Sequence, residues 1–300
     1  MEEAYMSVIT IQNLTRDYGR RRGVFDVSFA VSQGEAFGFL GPNGAGKTTT
    51  IRHLMGFLKP SQGSCVINGM NCWDNRAEIQ QTLGYIPGEI AFFDDMTGPE
   101  YLRFIARYRG MKGDGRKQEL LDRFELNPAG RIKKMSKGMK QKIGIVAALM
   151  HDPAILILDE PTSGLDPLMQ SRFIELVMSE KQRGKTILMS SHMFEEVERT
   201  CHRIGIIRQG ELVTVDSVDE LKAKQQKKFI ITFENSKAAE AFHQEALQTE
   251  MLTHHRVEVT VGDNIRELIA VLGRYPVQNL AAPTQSLEEV FMQYYGGDKA

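Results

Sequence analysis

The stretch Gly41-Pro42-Asn43-Gly44-Ala45-Gly46-Lys47-Thr48-Thr49 decides how the rest of the chain is read, because it fills every fixed position of the phosphate-loop pattern G-x-x-x-x-G-K-[ST]. Glycines let the backbone curl until successive N–H groups point inward, and a helix starting at Lys47 adds the positive end of its dipole to the same hollow. The guest that suits such a hollow is a polyphosphate. Lys47 is expected to reach the outer phosphate oxygens and the Thr48 hydroxyl to take one coordination position on magnesium, while Thr49 continues the helix. The flanks agree, since Glu35 to Leu40 reads as a strand and Ile51 to Leu58 as an amphipathic helix.

With 300 residues, 42% hydrophobic and 25% charged, the chain can bury a full core as one large domain or two smaller ones. A formal net charge of −1 gives no bulk electrostatic support for nucleic-acid binding, and none is expected. Arg20-Arg21-Arg22 reads as a solvated loop. No secretory leader is visible, and no apolar run approaches the roughly 20 residues that span a bilayer, so the expected location is the cytoplasm. Any membrane role would be borrowed from another chain. Cys65, Cys72 and Cys201 fit neither a disulfide framework nor a zinc spacing and read as packing residues. His254-His255 lack acidic or thiol partners at ligand spacing.

Ahead of the phosphate loop, Val8 to Ile11 with Leu14, and Gly23 to Val31, alternate as strands of an antiparallel edge. Tyr18 stands between them in a polar turn, where a flat ring can stack on a nucleotide base or pack on its own sheet. Past the loop, Ser64 to Gly69 reads as a short strand and turn, and Leu83 to Ile86 as a strand ending at Pro87. Helical patterning then takes over from Thr97 to His151, opening on a capping box of Thr97 and Glu100, with helices over Glu100 to Arg109, Arg116 to Phe124 and Gly138 to Met150. This insert separates two parts of one sheet. Ala154 to Leu158 reads as a parallel strand buried on both faces and ends in Asp159-Glu160, where open α/β sheets bind ligands.

A helix over Pro167 to Gln182, a strand over Thr186 to Ser190 with His192 just past it, and a hairpin around Gln209-Gly210 follow. A second capping box spans Ser217 to Glu220, and Lys222 to Lys228 reads as an exposed joint. Beyond it, strands over Phe229 to Phe233 and Val257 to Val261 flank a helix over Ser236 to Ala246, a small α+β appendage. The chain closes on a third capping box at Ser286 to Glu289, leading a helix to Tyr295. The expected division is therefore residues 1–217, with a helical subdomain at about 92–152, and residues 218–300.

A phosphate cradle followed by a strand-end aspartate assigns Asp159 to magnesium, as in P-loop NTPases generally. Glu160 is the candidate to orient or deprotonate the attacking water, and His192 is placed to hold that water or the terminal phosphate. The bland alternative makes Asp159 and Glu160 helix-cap carboxylates.

These motifs, in this order, resemble the nucleotide-binding subunit of an ABC transporter from about residue 6 to 217. Tyr18 is similar to the adenine-stacking aromatic, Met135-Ser136-Lys137-Gly138-Met139 to the signature sequence, Asp159-Glu160-Pro161-Thr162 to the Walker B end, Ser163 to Asp166 to the D-loop, and His192 to the switch histidine. The resemblance implies an α/β P-loop ATPase that binds ATP and Mg2+. It further implies a pair of copies sandwiching two ATP molecules, each meeting the other's Ser136, Gly138 and Asp166. It would act from the cytoplasmic face of the membrane through a separate permease.

The tail resembles that of exporter subunits for drug, antibiotic or lipid-linked cargo. A soluble ATPase acting on ribosomes, nucleic acid or cluster assembly is the alternative. Two departures stand out. Lys137 and Met139 replace the usual Gly and Gln of the signature, and Gly88-Glu89 stands where a coupling-loop glutamine is expected. Glu89 is read either as a coupling carboxylate that reaches the magnesium, its water or the permease, or as a solvated surface charge.

Overall fold

Apolar alternation sets β1 (Ser7–Asp17) and β2 (Gly23–Ser32) side by side and antiparallel, with Ile9, Ile11 and Leu14 opposite Val31, Phe29 and Val27. The structure is a computed structural model describing residues 7–93, 95–223, 227–261 and 265–282. The chain divides into two compact units, Met1–Val218 and Asp219–Ala300.

In the first unit, β3 (Ala36–Leu40) leads into α1 (Lys47–Leu54), followed by β4 (Gln62–Ile67), β5 (Met70–Asn71), α2 (Arg76–Thr82) and β6 (Leu83–Ile86). The helical insert holds α3 (Gly98–Tyr108), α4 (Gly115–Arg123), a 3-10 turn at Ile132–Lys134 and α5 (Lys137–Leu149). Thr97 and Glu100 form the expected capping box on α3. Then come β7 (Ile155–Asp159), α6 (Pro167–Gln182), β8 (Thr186–Ser191), α7 (Phe194–Thr200), β9 (Arg203–Arg208) and β10 (Glu211–Ser217), and α8 (Val218–Ala223) begins at the boundary and belongs to the second unit from Asp219 on.

The main sheet has the order β10-β9-β3-β8-β7-β6, parallel throughout except for the β9–β10 hairpin. β3, β7 and β8 are buried at every position, as strands covered on both faces must be. On one face, the smaller sheet β2-β1-β4-β5 and α1 close a core in which Phe29 of β2 stacks on Phe37 of β3 at 4.9 Å. On the other face α7 approaches so closely that a Cβ at Gly38 would lie 1.9 Å from Val197. Each fully buried phenylalanine of such a core contributes about 1.5–3 kcal/mol.

The second unit is an antiparallel sheet of order β12-β13-β11-β14, built from β11 (Lys227–Phe233), β12 (Gln248–Thr253), β13 (Arg256–Val261) and β14 (Val277–Ala281). Helices α9 (Ser236–His243) and α10 (Ile265–Leu272) supply Phe242 and Leu268 to its core beside Ile231, Phe233 and Val259.

Several boundaries differ from the sequence reading. The helix after the phosphate loop stops at Leu54 rather than Leu58, because Gly56 takes φ 66° and presses on the Cys72 carbonyl, where a Cβ would lie at 2.3 Å. The appendage helix stops at His243 rather than Ala246. Helices α2, α7 and α10 and strands β5, β12 and β14 are additional. Lys224 to Gln226 of the expected joint, and the closing segment from Ser286 to Tyr295, lie outside the described residues.

Candidate nucleotide site

The phosphate loop is pinned where no side chain fits. A Cβ at Gly41 would lie 2.4 Å from the Ile207 carbonyl, and one at Gly46, whose φ is 113°, would lie 2.8 Å from Val24. Helix α1 has neither a side-chain cap nor an acidic residue in its first turn, so its N-terminal N–H groups are left for an anion. The buried Lys47 donates from Nζ to the carbonyls of Gly41 at 2.7 Å and Pro42 at 3.1 Å. A cavity of about 910 Å³ opens on the loop, walled by Tyr18, Asn43, Thr48, Thr49, Glu89 and Glu160, with Arg21, Arg22 and Arg52 adding positive charge. The lining sets Arg21, Arg22, Lys47 and Arg52 against Glu89, Glu160 and Glu211.

At the end of β7 the acidic pair splits. Asp159 is fully buried, and its Oδ1 accepts from the Ser190 hydroxyl at 2.6 Å. Its Oδ2 is buried without a hydrogen-bond partner and faces Gly88, where a Cβ would lie 3.1 Å away. An orphaned carboxylate oxygen is unfavourable by several kcal/mol in an apolar setting, and a hard cation is its natural complement. Among the described residues no cluster of three or more His, Cys, Asp or Glu side chains could hold a metal alone. The orphaned Asp159 Oδ2 and the Thr48 hydroxyl on the cavity wall are donor types that suit a magnesium ion held together with nucleotide phosphates.

Glu160 leaves the strand with φ 45°, its N–H donating to the Ser190 carbonyl at 3.2 Å and hydroxyl at 3.1 Å. That turn carries its carboxylate away from Asp159 and into the mouth of the loop. There Oε1 lies 3.1 Å from Lys47 Nζ and Oε2 lies 3.5 Å from Nδ1 of the half-exposed His192. One carboxylate bridges the phosphate-loop lysine and the histidine beyond β8.

Ser136, Gly138 and Asp166 do not line this cavity. Ser136 caps α5 by accepting from the Met139 N–H at 3.2 Å, and Asp166 caps α6 by accepting from the Met169 N–H at 3.0 Å. Gly138 lies against the Gly164 carbonyl, and Lys137 Nζ donates to the Ser163 hydroxyl at 3.2 Å, so the signature-like segment and the following loop form a second surface. Tyr18, 52% exposed, and the exposed Glu89 both stand on the cavity wall.

Sequence reading did not find Ser190, which anchors both acidic residues, nor Gln141, whose buried amide donates to the Pro161 carbonyl at 2.7 Å. Arg21 and Arg22 are exposed in the loop, as read, and both also line the cavity. The hydrogen bond from the Tyr18 N–H to the Arg22 carbonyl, at 2.8 Å, closes the turn that carries them.

A glycine-rich loop after a buried parallel strand, with an acidic pair at the end of a second strand of the same sheet, defines a P-loop ATPase. Residues 24–163 match the ABC transporter family. The chain is 37% identical over 240 residues to the linearmycin resistance ATP-binding protein LnrL of Bacillus subtilis, covering 78% of this chain and 77% of that one. It is 39% identical over 224 residues to the bacitracin transport ATP-binding protein BcrA of Bacillus licheniformis, covering 74% and 73%. Its fold matches the dimeric structure of the bacterial ABC transporter cassette MJ0796 with a TM-score of 0.63 and 23% identity, covering 70% of this chain and 98% of that one. The chain belongs to the ABC transporter family and is an ATP-binding, ATP-hydrolysing cassette of it; the soluble alternative is not favoured. Among the described residues no helix is long and apolar enough to cross a membrane.

Proposed function

We propose that this chain is the motor of an antibiotic or drug exporter, working from the cytoplasmic face of the membrane through a separate permease. The relatives named for linearmycin resistance and bacitracin transport support that cargo class. In this reading Tyr18 stacks on adenine, the loop from Gly41 to Gly46 and the α1 N-terminus hold the phosphates, and Lys47 turns from Glu160 to the phosphate oxygens. Thr48 and Asp159 hold magnesium, which neutralises and orients phosphate charge when bound. Glu160 orients and deprotonates the attacking water, and His192 steadies it. Ser136, Gly138 and Asp166, which lie off the cavity of their own chain, serve the nucleotide of a second copy.

The carriage of the Glu160 carboxylate between Lys47 and His192 is the observation on which the reading rests. Glu160→Gln is expected to bind ATP, turn over at least about a hundredfold more slowly, and run as a dimer in size-exclusion chromatography with ATP and magnesium. Lys47→Ala is expected to lose affinity for the nucleotide instead. A Glu160→Gln protein with parental turnover would remove Glu160 from the chemistry, and one that stays monomeric at high concentration would remove the two-copy arrangement.

A further inference from the structure

Glu196 is a buried carboxylate to which the chemistry above gives no task. It lies in α7, is 3% exposed, and has no Lys, Arg or His partner among the described residues. Its carboxylate accepts instead from two buried hydroxyls, those of Thr162 and Ser191, the latter at 2.7 Å. Thr162 follows Glu160 by two residues, and Ser191 immediately precedes His192. Ser191 reaches further, for its hydroxyl accepts from the Met193 N–H at 2.9 Å and its carbonyl from the Gly41 N–H at 3.2 Å. The Thr200 hydroxyl holds the Glu196 carbonyl at 2.6 Å, which ties the carboxylate's own backbone into α7.

Each carboxylate oxygen takes one hydroxyl, Oε1 that of Thr162 and Oε2 that of Ser191, so neither hydroxyl is free to rotate. Two short O–H···O bonds offset part of the desolvation of a carboxyl group buried without a cationic partner. An apolar side chain would fill the same space without that penalty, so packing alone does not account for a carboxylate here. Its effect is to clamp the segment after β7 to the end of β8.

We propose that Glu196 is a positioning residue for ATP hydrolysis: through Thr162 and Ser191 it fixes where Glu160 stands relative to His192. This rests on the roles assigned to Glu160 and His192 above. Glu196 touches neither nucleotide nor water, and acts through the two backbone segments that carry those side chains.

The test is steady-state ATPase of the full chain, together with ATP affinity from a fluorescent analogue and thermal melting. Glu196→Ala is expected to lower kcat by about tenfold to a hundredfold, while the dissociation constant for ATP stays within about twofold. Glu196→Gln keeps one acceptor but turns an N–H toward one of the hydroxyls, and is expected to lose about threefold to tenfold in kcat alone.

A second arm separates positioning from general support. In a His192→Ala background, Glu196→Ala is expected to cost less than about threefold more, because both losses pass through the same geometry. Parental kcat in a folded Glu196→Ala, or a loss that multiplies in full with that of His192→Ala, would overturn the proposal. If Glu196→Ala does not fold, parental kcat in Glu196→Gln overturns it equally. Parental turnover in His192→Ala or Glu160→Gln alone would instead strike at the proposed function, a result distinguishable from failure of Glu196.

Discussion

Asp159 and Glu160 are consecutive carboxylates with opposite surroundings, and one backbone angle separates them. The extended Asp159 points into the sheet interior, whereas φ 45° at Glu160 swings the next side chain out toward Lys47 and His192. If Asp159 Oδ2 is the magnesium ligand, Asp159→Asn should fold, since the amide oxygen can still accept from Ser190. ATP affinity in magnesium should then fall to the value measured in EDTA, and a parental ratio of those two affinities would exclude the role.

His151 gives a second residue-scale prediction. Burial, with Arg109 adding repulsion, pushes its pKa down to about 4, its Nδ1 is buried without a partner, and its Nε2 lies 3.3 Å from the Leu83 carbonyl. Burial likewise lowers the pKa of His53 on α1. The unfolded chain therefore binds more protons than the folded one below the ordinary histidine value of about 6.5, and the stability held above it is lost as pH falls toward 4. Denaturant unfolding should show this decline, and His151→Gln should make it shallower in that window. The polar character of these residues was legible in the sequence. The left-handed turn at Glu160 and the anchoring by Ser190 were not, because both depend on the neighbouring strand.

Among the elements, those the sequence identified had a periodic apolar face or a capping signature long enough to read, and α6 and the β9–β10 hairpin fall where their patterns place them. The elements it missed are short and take their order from tertiary contacts. Of the seven residues of α2 only Ile79 is buried, and β12 carries no buried position at all. Helix α7 covers Gly38 through Val197, a contact between residues far apart in the chain. Conversely, α3 owes its start to local chemistry, with the Thr97 N–H donating to Glu100 Oε2 at 2.8 Å and the Thr97 hydroxyl accepting from the Glu100 N–H. Thr97→Ala is expected to destabilise the cassette by about 1 kcal/mol, about 2–4 °C in melting temperature, and to leave ATP affinity unchanged. A parental melting temperature would show the box to be replaced by water.

At the scale of the whole molecule, Ser136, Gly138 and Asp166 stand off the phosphate cavity, which is compatible with the reciprocal pair of copies proposed above. If the proposed function holds, the region beyond β6 is the candidate place for a permease to be sensed. Gly88 lies against Asp159 Oδ2, Glu89 stands on the cavity wall, and a few residues further on Phe93 and Phe104, 55% and 42% exposed, meet edge to face with ring centroids 5.6 Å apart. Exposed paired aromatics suit the docking of a partner helix, and the intervening loop leads from them to the buried carboxylate. On the proposed reading, a displacement of the aromatics would shift Gly88 and Glu89 against Asp159. If Glu89 transmits that displacement, Glu89→Ala should reduce permease-stimulated ATPase by about tenfold while changing the basal rate of the isolated subunit by less than about twofold. Reading Glu89 as a solvated wall charge yields the opposite result, equal stimulation in mutant and parent. That outcome would leave the contact between Gly88 and Asp159 as the remaining route into the site.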